Sequence, residues 1–350
     1  MMILGVTEQD IQKAAEILKR GGLAAFPTET VYGLGADAFN TLALARVFEV
    51  KGRPRFDPLI IHIAEPSRLE HVARLSALSP DRRALAEKCA AAFWPGPLTL
   101  VLPKQPEVPG LATAGLATAA VRCPAHPVAR ALIGLSGRAG KPGAVAAPSA
   151  NPFGRLSPTR AEHVVEGLGE KIDCIIDGGP CSVGVESTVL DLASPRITIL
   201  RPGGVTREDL EKVVGPIDLG GPEHGEAGRL SPGMLKSHYA PKTPLFLHGG
   251  KEMAALPYKK DEAYLFFSGE SRRAWVEKKT AGENKSRAES PDSGPAVLVL
   301  SETGNVLEAA AHLFEYLRRL DGPARIHAEI LPEEGLGAAV NDRLRRASVK

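Results

Sequence analysis

The chain of 350 residues is poor in cysteine and has no long apolar run. Its four cysteines, Cys89, Cys123, Cys174 and Cys181, form no C-x-x-C pair, which argues against a zinc site and predicts buried, reduced thiols. No stretch approaches the ~20 apolar residues that a membrane-spanning helix needs. The N-terminus lacks a basic segment followed by an apolar one, so we expect no signal peptide and a cytoplasmic protein.

Aromatic residues and excess charge are also scarce. Aromatics make up 5% of the chain, which disfavours a surface that stacks on single-stranded nucleic acid. Lys plus Arg number 43 and Asp plus Glu number 41, so the net charge of +2 creates no general attraction to nucleic acid or membrane. Any site for an anion must therefore be local.

Several well-known catalytic and binding motifs do not occur in the sequence. The nine histidines are not spaced as metal ligands, and neither a G-x-S-x-G motif nor a Walker A motif is present. The sequence therefore offers no side-chain nucleophile and no metal site. An enzyme with this sequence would work by positioning its substrates and neutralising their charge.

The distribution of apolar residues predicts two α/β domains. Residues 1–214 mix strands and helices without strict alternation, which indicates a mixed twisted sheet with helices packed against it. Residues 215–243 are rich in Gly and Pro, as linkers are. Residues 244–350 alternate strands and helices, which is typical of a smaller domain with a parallel sheet. A polar stretch between Arg272 and Pro295 predicts a mobile loop.

Two short segments give more specific local predictions. Gly33 to Ala38 matches the G-x-G-x-x-A dinucleotide fingerprint, but the preceding PTETVY is too polar for a buried first strand, so we expect a glycine-containing turn instead. Thr28, Glu29, Thr30 and Tyr32 make this segment unusually polar, and its hydroxyls could bind a small polar ligand or serve simple turn chemistry. Pro158 follows Ser157 as a first helical residue does, which predicts a helix whose free N–H groups could face an anion.

Three cations stand directly before an apolar strand. Lys51, Arg53 and Arg55 precede Leu59–Ile63, and His62 interrupts the apolar run. Polar side chains also open, close or follow other predicted strands: Arg122, Ser149, Asn151, Ser187 and Arg201. Because ligands collect at strand ends in open α/β sheets, this pattern predicts a site for a polyanion.

Taken in order, the sequence motifs resemble the threonylcarbamoyl-AMP synthases, the YrdC-domain family. The resemblance covers roughly residues 8–215 and is carried by PTETVYGLGADA, KGRPRFDPLIIHI, FWPGPLTLVLP, AVRCP, APSAN with SPT, ESTV and RPGG. SPGMLKSHYAP (231–241) and GLGAAVNDRLRRAS (335–348) resemble the longer form of the family. The resemblance implies a YrdC-like catalytic domain followed by a smaller Rossmann-like α/β domain.

The resemblance also implies a reaction. Enzymes of the family join L-threonine, bicarbonate and ATP into threonylcarbamoyl-AMP with release of pyrophosphate, and the product feeds the machinery that makes threonylcarbamoyladenosine in tRNA. It implies Mg²⁺ carried by ATP, with no direct protein ligand. We expect a monomer that makes no stable contact with nucleic acid or membrane.

Matching positions carry the roles of the family's site residues. Lys51 and Arg53 would be catalytic and face the triphosphate, with Arg55 beside them. The residues that would bind L-threonine are Thr30, His62, Arg122, Ser149 and Ser187. The residues that would bind ATP are Lys51, Arg53, Asp57, Thr118, Asn151, Thr159, Arg201 and Tyr239.

Two of these positions raise specific expectations. Tyr239 lies in the linker 215–243, so we expect the linker to close over the site as a lid. Asp57 departs from the family, where Asn is expected, and an acid beside phosphate is unfavourable unless it pairs with Arg55 or a metal.

Two other functions compete with this interpretation. A module that binds RNA without turning over ATP would also use a concave basic site, and salt-dependent RNA binding would favour it. Carbamoyl adenylation from carbamoyl phosphate occurs in hydrogenase-maturation relatives that share the YrdC domain. Those relatives carry zinc fingers, and this chain has no C-x-x-C pair.

Overall fold

The computed structural model describes residues 1–138, 142–220, 239–280 and 296–349. They form two compact units. The N-terminal unit contains the described residues among 1–153 and 157–220, and the C-terminal unit contains 154–156 and the described residues among 239–349. Most of the predicted linker and lid, residues 221–238, lies outside the described residues. The predicted domain boundaries therefore stay predictions.

The N-terminal unit is built on one mixed sheet. Its strands are β1 Met2–Leu4, β2 Ala24–Phe26, β3 Gly33–Asp37, β4 Ile60–Ile63, β5 Leu98–Pro103, β6 Thr118–Arg122, β7 Ala144–Ala146, β8 Cys174–Ile176, β9 Thr188–Asp191, β10 Thr198–Arg201 and β11 Asp218–Leu219. The strand order is β1-β8-β2-β3-β7-β4-β6-β5-β9-β10-β11. Parallel pairs such as β4/β6 and antiparallel pairs such as β5/β6 both occur, so the predicted mixed sheet is confirmed.

Six α-helices accompany this sheet in the described part of the N-terminal unit. They are α1 Glu8–Lys19, α2 Thr41–Lys51, α3 Pro80–Phe93, α4 Pro127–Leu135, α5 Ala161–Gly167 and α6 Arg207–Val214. Thr7 caps α1, because its hydroxyl accepts the Asp10 N–H. Helix α2 begins after Asn40, whose side chain caps it, and ends at Gly52, which adopts the left-handed conformation favoured by glycine.

The two faces of the central strands differ in character. Every second residue along these strands lies on one face of the sheet, and residues of that face, such as Ile61, Leu100 and Val121, belong to the large apolar core. On the other face the apolar cluster is small: Ile60, Val101, Ala120, Val189 and Leu200. Polar side chains at or beside the ends of these strands are equally buried, and they form the candidate site.

The predicted glycine turn at residues 33–38 is wrong. Gly33–Asp37 forms β3, which pairs antiparallel with β2 and β7. A Cβ at Gly35 would lie 2.8 Å from both the Phe26 ring and a Val145 methyl group. Close packing against neighbouring strands therefore requires this glycine, and turn geometry does not.

The predicted helix start at Pro158 is also wrong. Helix α5 begins at Ala161 and has seven residues. The carbonyls of Pro158 and Thr159 accept the N–H groups of Tyr32 and Cys181, and Arg160 is extended. Pairing with distant segments therefore replaces the first helical turn, and the predicted helix N-terminus for an anion does not form.

The C-terminal unit contains a parallel sheet with helices. Its strands are β12 Leu245–His248, β13 Glu262–Ser268, β14 Ala296–Ser301 and β15 Arg325–Glu329, in the order β12-β15-β13-β14. Its helices are α7 Gly250–Met253, α8 Gly269–Thr280, α9 Val306–Arg319 and α10 Leu336–Ser348. All strand pairs are parallel, so the predicted architecture is confirmed.

The polar segment that begins at Arg272 was predicted as a loop, but its first part is helical. Helix α8 runs to Thr280, and residues 281–295 lie outside the described residues. Trp275 accounts for the helix, because its ring packs against Tyr264 and Phe266 of β13. In the described parts of both units, no helix combines the length and apolar composition that a membrane span requires.

Candidate active site

The candidate site is a row of buried polar side chains across neighbouring strands of the N-terminal unit. The β4/β6 register places His62 beside Arg122, and the β5/β6 register places Thr99 opposite Arg122. Ser187 directly precedes β9, and Arg201 ends β10. Each of these side chains is buried, so the sheet holds a charged row away from bulk solvent.

Arg122 is the centre of this row. Its guanidinium donates to the Thr30 hydroxyl at 2.9 Å and to the Gly96 carbonyl at 3.3 Å. It also lies 2.7 Å from a carboxylate oxygen of Glu29. Burial is the largest single effect and raises the pKa of Glu29, but the charge and hydrogen bonding of Arg122, together with backbone N–H groups, outweigh it and lower that pKa overall.

The segment after β2 folds around a hydroxyl group. The Thr28 hydroxyl donates to the Val31 carbonyl at 2.6 Å and accepts the N–H groups of Thr30 and Val31. The hydroxyls of Thr28 and Thr30 lie 2.8 Å apart. Side-chain hydrogen bonds to the local backbone therefore give this polar segment its turn and direct the Thr30 hydroxyl toward Arg122.

Lys51 is the last residue of α2 and is directed into the unit. Its ammonium donates to the carbonyls of Ser149 and Asn151 at 2.6 and 2.5 Å. Burial, together with the charge of Arg53, holds the pKa of Lys51 well below its usual value, and Asp57 opposes that shift. Among the described residues the ammonium donates to neutral carbonyls, so a nearby anion would stabilise it strongly.

Arg53 and Asp57 form a buried ion pair at 2.9 Å. Arg53 also donates to the carbonyls of Asp57 and Pro58. Burial raises the pKa of Asp57, against the effects of Arg53, Lys51 and Arg201. The suggested pairing of Asp57 with Arg55 is wrong, because Arg55 is exposed and Arg53 occupies that place.

His62 is fully enclosed and uncharged. Its Nδ1 lies 3.2 Å from the Ile60 carbonyl, and the Phe26 ring meets its ring edge-on. Burial, with the nearby charge of Arg122, lowers the pKa of His62 to about 3. His62 therefore presents a neutral imidazole to the site at physiological pH.

Ser187 and Arg201 form a second polar contact along the row. The Ser187 hydroxyl lies 2.7 Å from the Thr99 hydroxyl, and an Arg201 nitrogen donates to it at 3.2 Å. Arg201 also donates twice to the Ser187 carbonyl. This bonding holds the end of β10 against the start of β9.

The remaining sequence-predicted residues lie at different distances from this row. Ser149 pairs with Gly33 in an isolated bridge, and the Asn151 amide donates to the Pro152 carbonyl. Thr159 is buried, and its N–H donates to His163. Thr118 starts β6, four residues before Arg122, which places it about 13 Å away on the same face of the sheet.

Tyr239 belongs to the C-terminal unit. Its ring packs against Phe314 at 5.6 Å between centroids, and the Arg343 guanidinium lies 5.5 Å from its centre. Its backbone has a φ of 64°, in the left-handed region that few non-glycine residues adopt. The structure therefore shows what anchors Tyr239, and its predicted contact with ATP stays a prediction.

Sequence reasoning did not assign Glu29 and Thr99 to the site. Glu29 belongs to the unusually polar segment after β2, and that signal was available. Thr99 gave no signal, because one threonine in an apolar strand is common. Only the β5/β6 register shows that it faces Arg122.

Comparison with known proteins finds a family match for each part of the chain. The family described as "Telomere recombination" (Sua5, YciO and YrdC) matches residues 16–203. The family described as "Threonylcarbamoyl-AMP synthase, C-terminal domain" matches residues 205–349. Together the two matches cover nearly the whole chain.

Curated relatives are similar over their full length. The threonylcarbamoyl-AMP synthase of Pyrococcus abyssi is 44% identical over 98% of this chain and 95% of its own. That of Bacillus subtilis is 41% identical over 99% and 94%. A crystal structure of P. abyssi Sua5 complexed with L-threonine matches with a TM-score of 0.79 and 40% identity, over 99% of this chain and 98% of its own. The chain therefore belongs to the threonylcarbamoyl-AMP synthase family and is an enzyme.

Proposed function

We propose that this enzyme makes threonylcarbamoyl-AMP from L-threonine, bicarbonate and ATP and releases pyrophosphate. The observation that carries the proposal is the convergence of four buried cations in the N-terminal unit: Lys51, Arg53, Arg122 and Arg201. Asp57 and Glu29 offset part of this positive charge, and burying the excess is unfavourable unless further anions offset it. A triphosphate and an amino acid carboxylate supply those anions.

The face of the sheet suggests how ATP lies. Thr118, Ala120 and Arg122 alternate along β6 and therefore share one side, with Ile60 and Val189 in the same apolar cluster as Ala120. A nucleoside over this apolar surface would contact Thr118 at one end. Its phosphates would then extend toward Arg53 and Arg201, with Asn151, Thr159 and Tyr239 as the further predicted ATP contacts.

L-threonine takes the other end of the row. Arg122 would bind its carboxylate, with Thr30, His62, Ser149 and Ser187 around it. The structure of the P. abyssi relative contains L-threonine, which supports this class of substrate. A neutral His62 suits this place, because it adds no charge.

The chemistry needs no side-chain nucleophile. The threonine amine and bicarbonate form an N-carboxylate and water, and a carboxylate oxygen then attacks the α-phosphorus of ATP while pyrophosphate leaves. Lys51 and Arg53 would stabilise the charge that develops on the leaving group. These two cations are in position before the substrates bind, and the site holds the two substrates close together. Both effects account for the acceleration of the reaction.

Mg²⁺ enters this proposal as part of the Mg-ATP substrate. Among the described residues, no group of three or more His, Cys, Asp and Glu side chains could hold a metal. Phosphate oxygens and water would supply its ligands.

Three further predictions belong to the same proposal: the product passes to the transferase that modifies tRNA, the enzyme is a monomer, and it is cytoplasmic. They rest on the family resemblance and on composition.

Mass spectrometry of the protein with Mg-ATP, L-threonine and bicarbonate tests the proposal directly. We expect a threonylcarbamoyl-AMP signal that disappears when any one substrate is omitted. Intact ATP in the complete mixture, with folded protein, would refute it. ATP turnover that requires carbamoyl phosphate would favour carbamoyl adenylation, and salt-dependent RNA binding without turnover would favour the RNA-binding module.

A further inference from the structure

Glu29 is a buried carboxylate held by its backbone. Its carbonyl accepts the Val183 N–H at 2.7 Å, and the hydroxyl of the preceding Thr28 fixes the turn that follows. The residue is 7% exposed. The backbone at Glu29 is therefore fixed, and its side chain is buried against Arg122.

The contacts of this carboxylate are incomplete. One oxygen lies 2.7 Å from the Arg122 guanidinium, and neither oxygen has a hydrogen bond of normal geometry among the described residues. The backbone N–H groups of Glu29 and Ala125 are near enough to favour its charged form, and its pKa is lowered overall. A charged carboxylate nearly out of contact with water retains capacity for another donor.

We propose that Glu29 binds the α-ammonium group of the amino acid substrate, so that Glu29 and Arg122 together recognise an α-amino acid zwitterion. This inference rests on the proposed function and adds a residue to its site. The Glu29–Arg122 pair has no net charge, and neither has the zwitterion. Binding would replace one internal ion pair by two, Arg122 with the carboxylate and Glu29 with the ammonium, without burying net charge.

A purely structural role for Glu29 predicts a different result. If Glu29 only orients Arg122, its removal should weaken every carboxylate ligand by the same factor. If Glu29 receives the ammonium, its removal should weaken only ligands that carry one. (R)-3-hydroxybutanoate separates the two roles, because it has the carboxylate and hydroxyl of L-threonine but no amino group.

Calorimetric titration of the full chain with these two ligands tests the proposal. The wild type should bind L-threonine at least tenfold more tightly than (R)-3-hydroxybutanoate. In Glu29→Gln that preference should fall at least fivefold, while the affinity for (R)-3-hydroxybutanoate changes less than threefold. An unchanged preference, or equal losses for both ligands, would overturn the proposal.

Two variants control for folding and burial. Glu29→Asp keeps the charge and should retain most of the preference with weaker binding of L-threonine. Glu329→Gln, a buried glutamate of the C-terminal unit, should leave the preference unchanged. If Glu29→Gln does not fold, titration of the wild type alone still tests the proposal. A preference for L-threonine over (R)-3-hydroxybutanoate below threefold would exclude a group that receives the ammonium.

These titrations omit ATP and bicarbonate, so they remain valid even if the protein shows no turnover. A wild type that does not bind L-threonine would refute the proposed function as well.

Discussion

The two units bury charge in different ways. In the described part of the N-terminal unit, charged side chains converge from several strands and a helix end, and the Lys51 ammonium donates to two neutral carbonyls. In the described part of the C-terminal unit, buried carboxylates accept hydrogen bonds from neighbouring groups of the same unit. Glu329 accepts the Phe267 N–H and the Ser271 hydroxyl, and His327 lies 3.0 Å from Glu262.

The difference shows which buried charges belong to a site. A charge whose hydrogen-bonding capacity is filled by its own unit contributes to structure, and its removal is felt in stability. Charges gathered on one sheet face with only partial complements are unfavourable by themselves and become favourable with a ligand. Their removal should be felt first in substrate binding and turnover.

The largest effect that we expect is on turnover. Lys51→Ala and Arg53→Ala should each lower kcat/KM for ATP at least 100-fold, because each removes a cation from the proposed phosphate site. A steady-state assay of pyrophosphate release measures this. The matched control in the C-terminal unit is Lys259→Ala, which breaks a half-exposed pair with Glu262. Near-normal activity in both site variants would contradict the assignment.

Variants of the Arg53–Asp57 ion pair distinguish an effect on turnover from an effect on stability. Arg53→Ala leaves the Asp57 carboxylate buried without its main partner, which should lower the free energy of unfolding by about 3–5 kcal/mol. Adding Asp57→Asn should restore most of that loss in urea unfolding but restore no turnover. Recovery of turnover in the double variant would show that Arg53 acts only as the partner of Asp57.

Tyr239 tests whether the C-terminal unit contributes to the site. Tyr239→Ala removes a ring packed against Phe314 and should lower the free energy of unfolding by about 3–5 kcal/mol. If the linker is a lid, it should also weaken ATP binding. Phe314→Ala is the matched control, since it loosens the same packing and keeps the tyrosine. Equal ATP affinity in wild type and Tyr239→Ala would count against a lid.

Local signals predicted much of the fold. Helices α1 and α6 each begin after a threonine cap, and the spacing of their apolar residues in the sequence indicates a helix. Strand β3 was missed because its glycines resemble a turn, and only the distance to Phe26 and Val145 explains them. Helix α8 was missed because Trp275 is its main buried anchor and the rest is polar.

The candidate site was predictable as a set of residues but not as a set of contacts. Motifs at strand ends identified Lys51, Arg122 and Arg201. The carbonyls that bind Lys51 lie 98 and 100 residues away in the chain, and no local pattern specifies such contacts. For the same reason, the pairing of Glu29 with Arg122 emerged only from the folded chain.

The smallest effect concerns histidine and pH. Burial lowers the pKa of His62 to about 3, whereas an unfolded chain protonates histidine near pH 6.5. Between these values the unfolded state binds a proton that the folded state does not, so stability falls as pH falls from 6.5 toward 3. His62 should contribute at most about 1.4 kcal/mol per pH unit to that loss.

Urea unfolding at pH 7.5 and pH 5.0 measures this contribution. His62→Gln should lose less stability between the two values than the wild type, because glutamine binds no proton. His248 of the C-terminal unit is the comparison: burial and its neighbour His327 also lower its pKa, but it is only half-buried, so His248→Gln should change the pH dependence less. Equal effects of the two substitutions would mean that His62 is protonated as readily as a half-buried histidine. The sheet face would then admit water, contrary to the burial of His62. A larger effect of His62→Gln would support the conclusion that the N-terminal unit excludes water from its row of buried polar side chains until charged substrates bind.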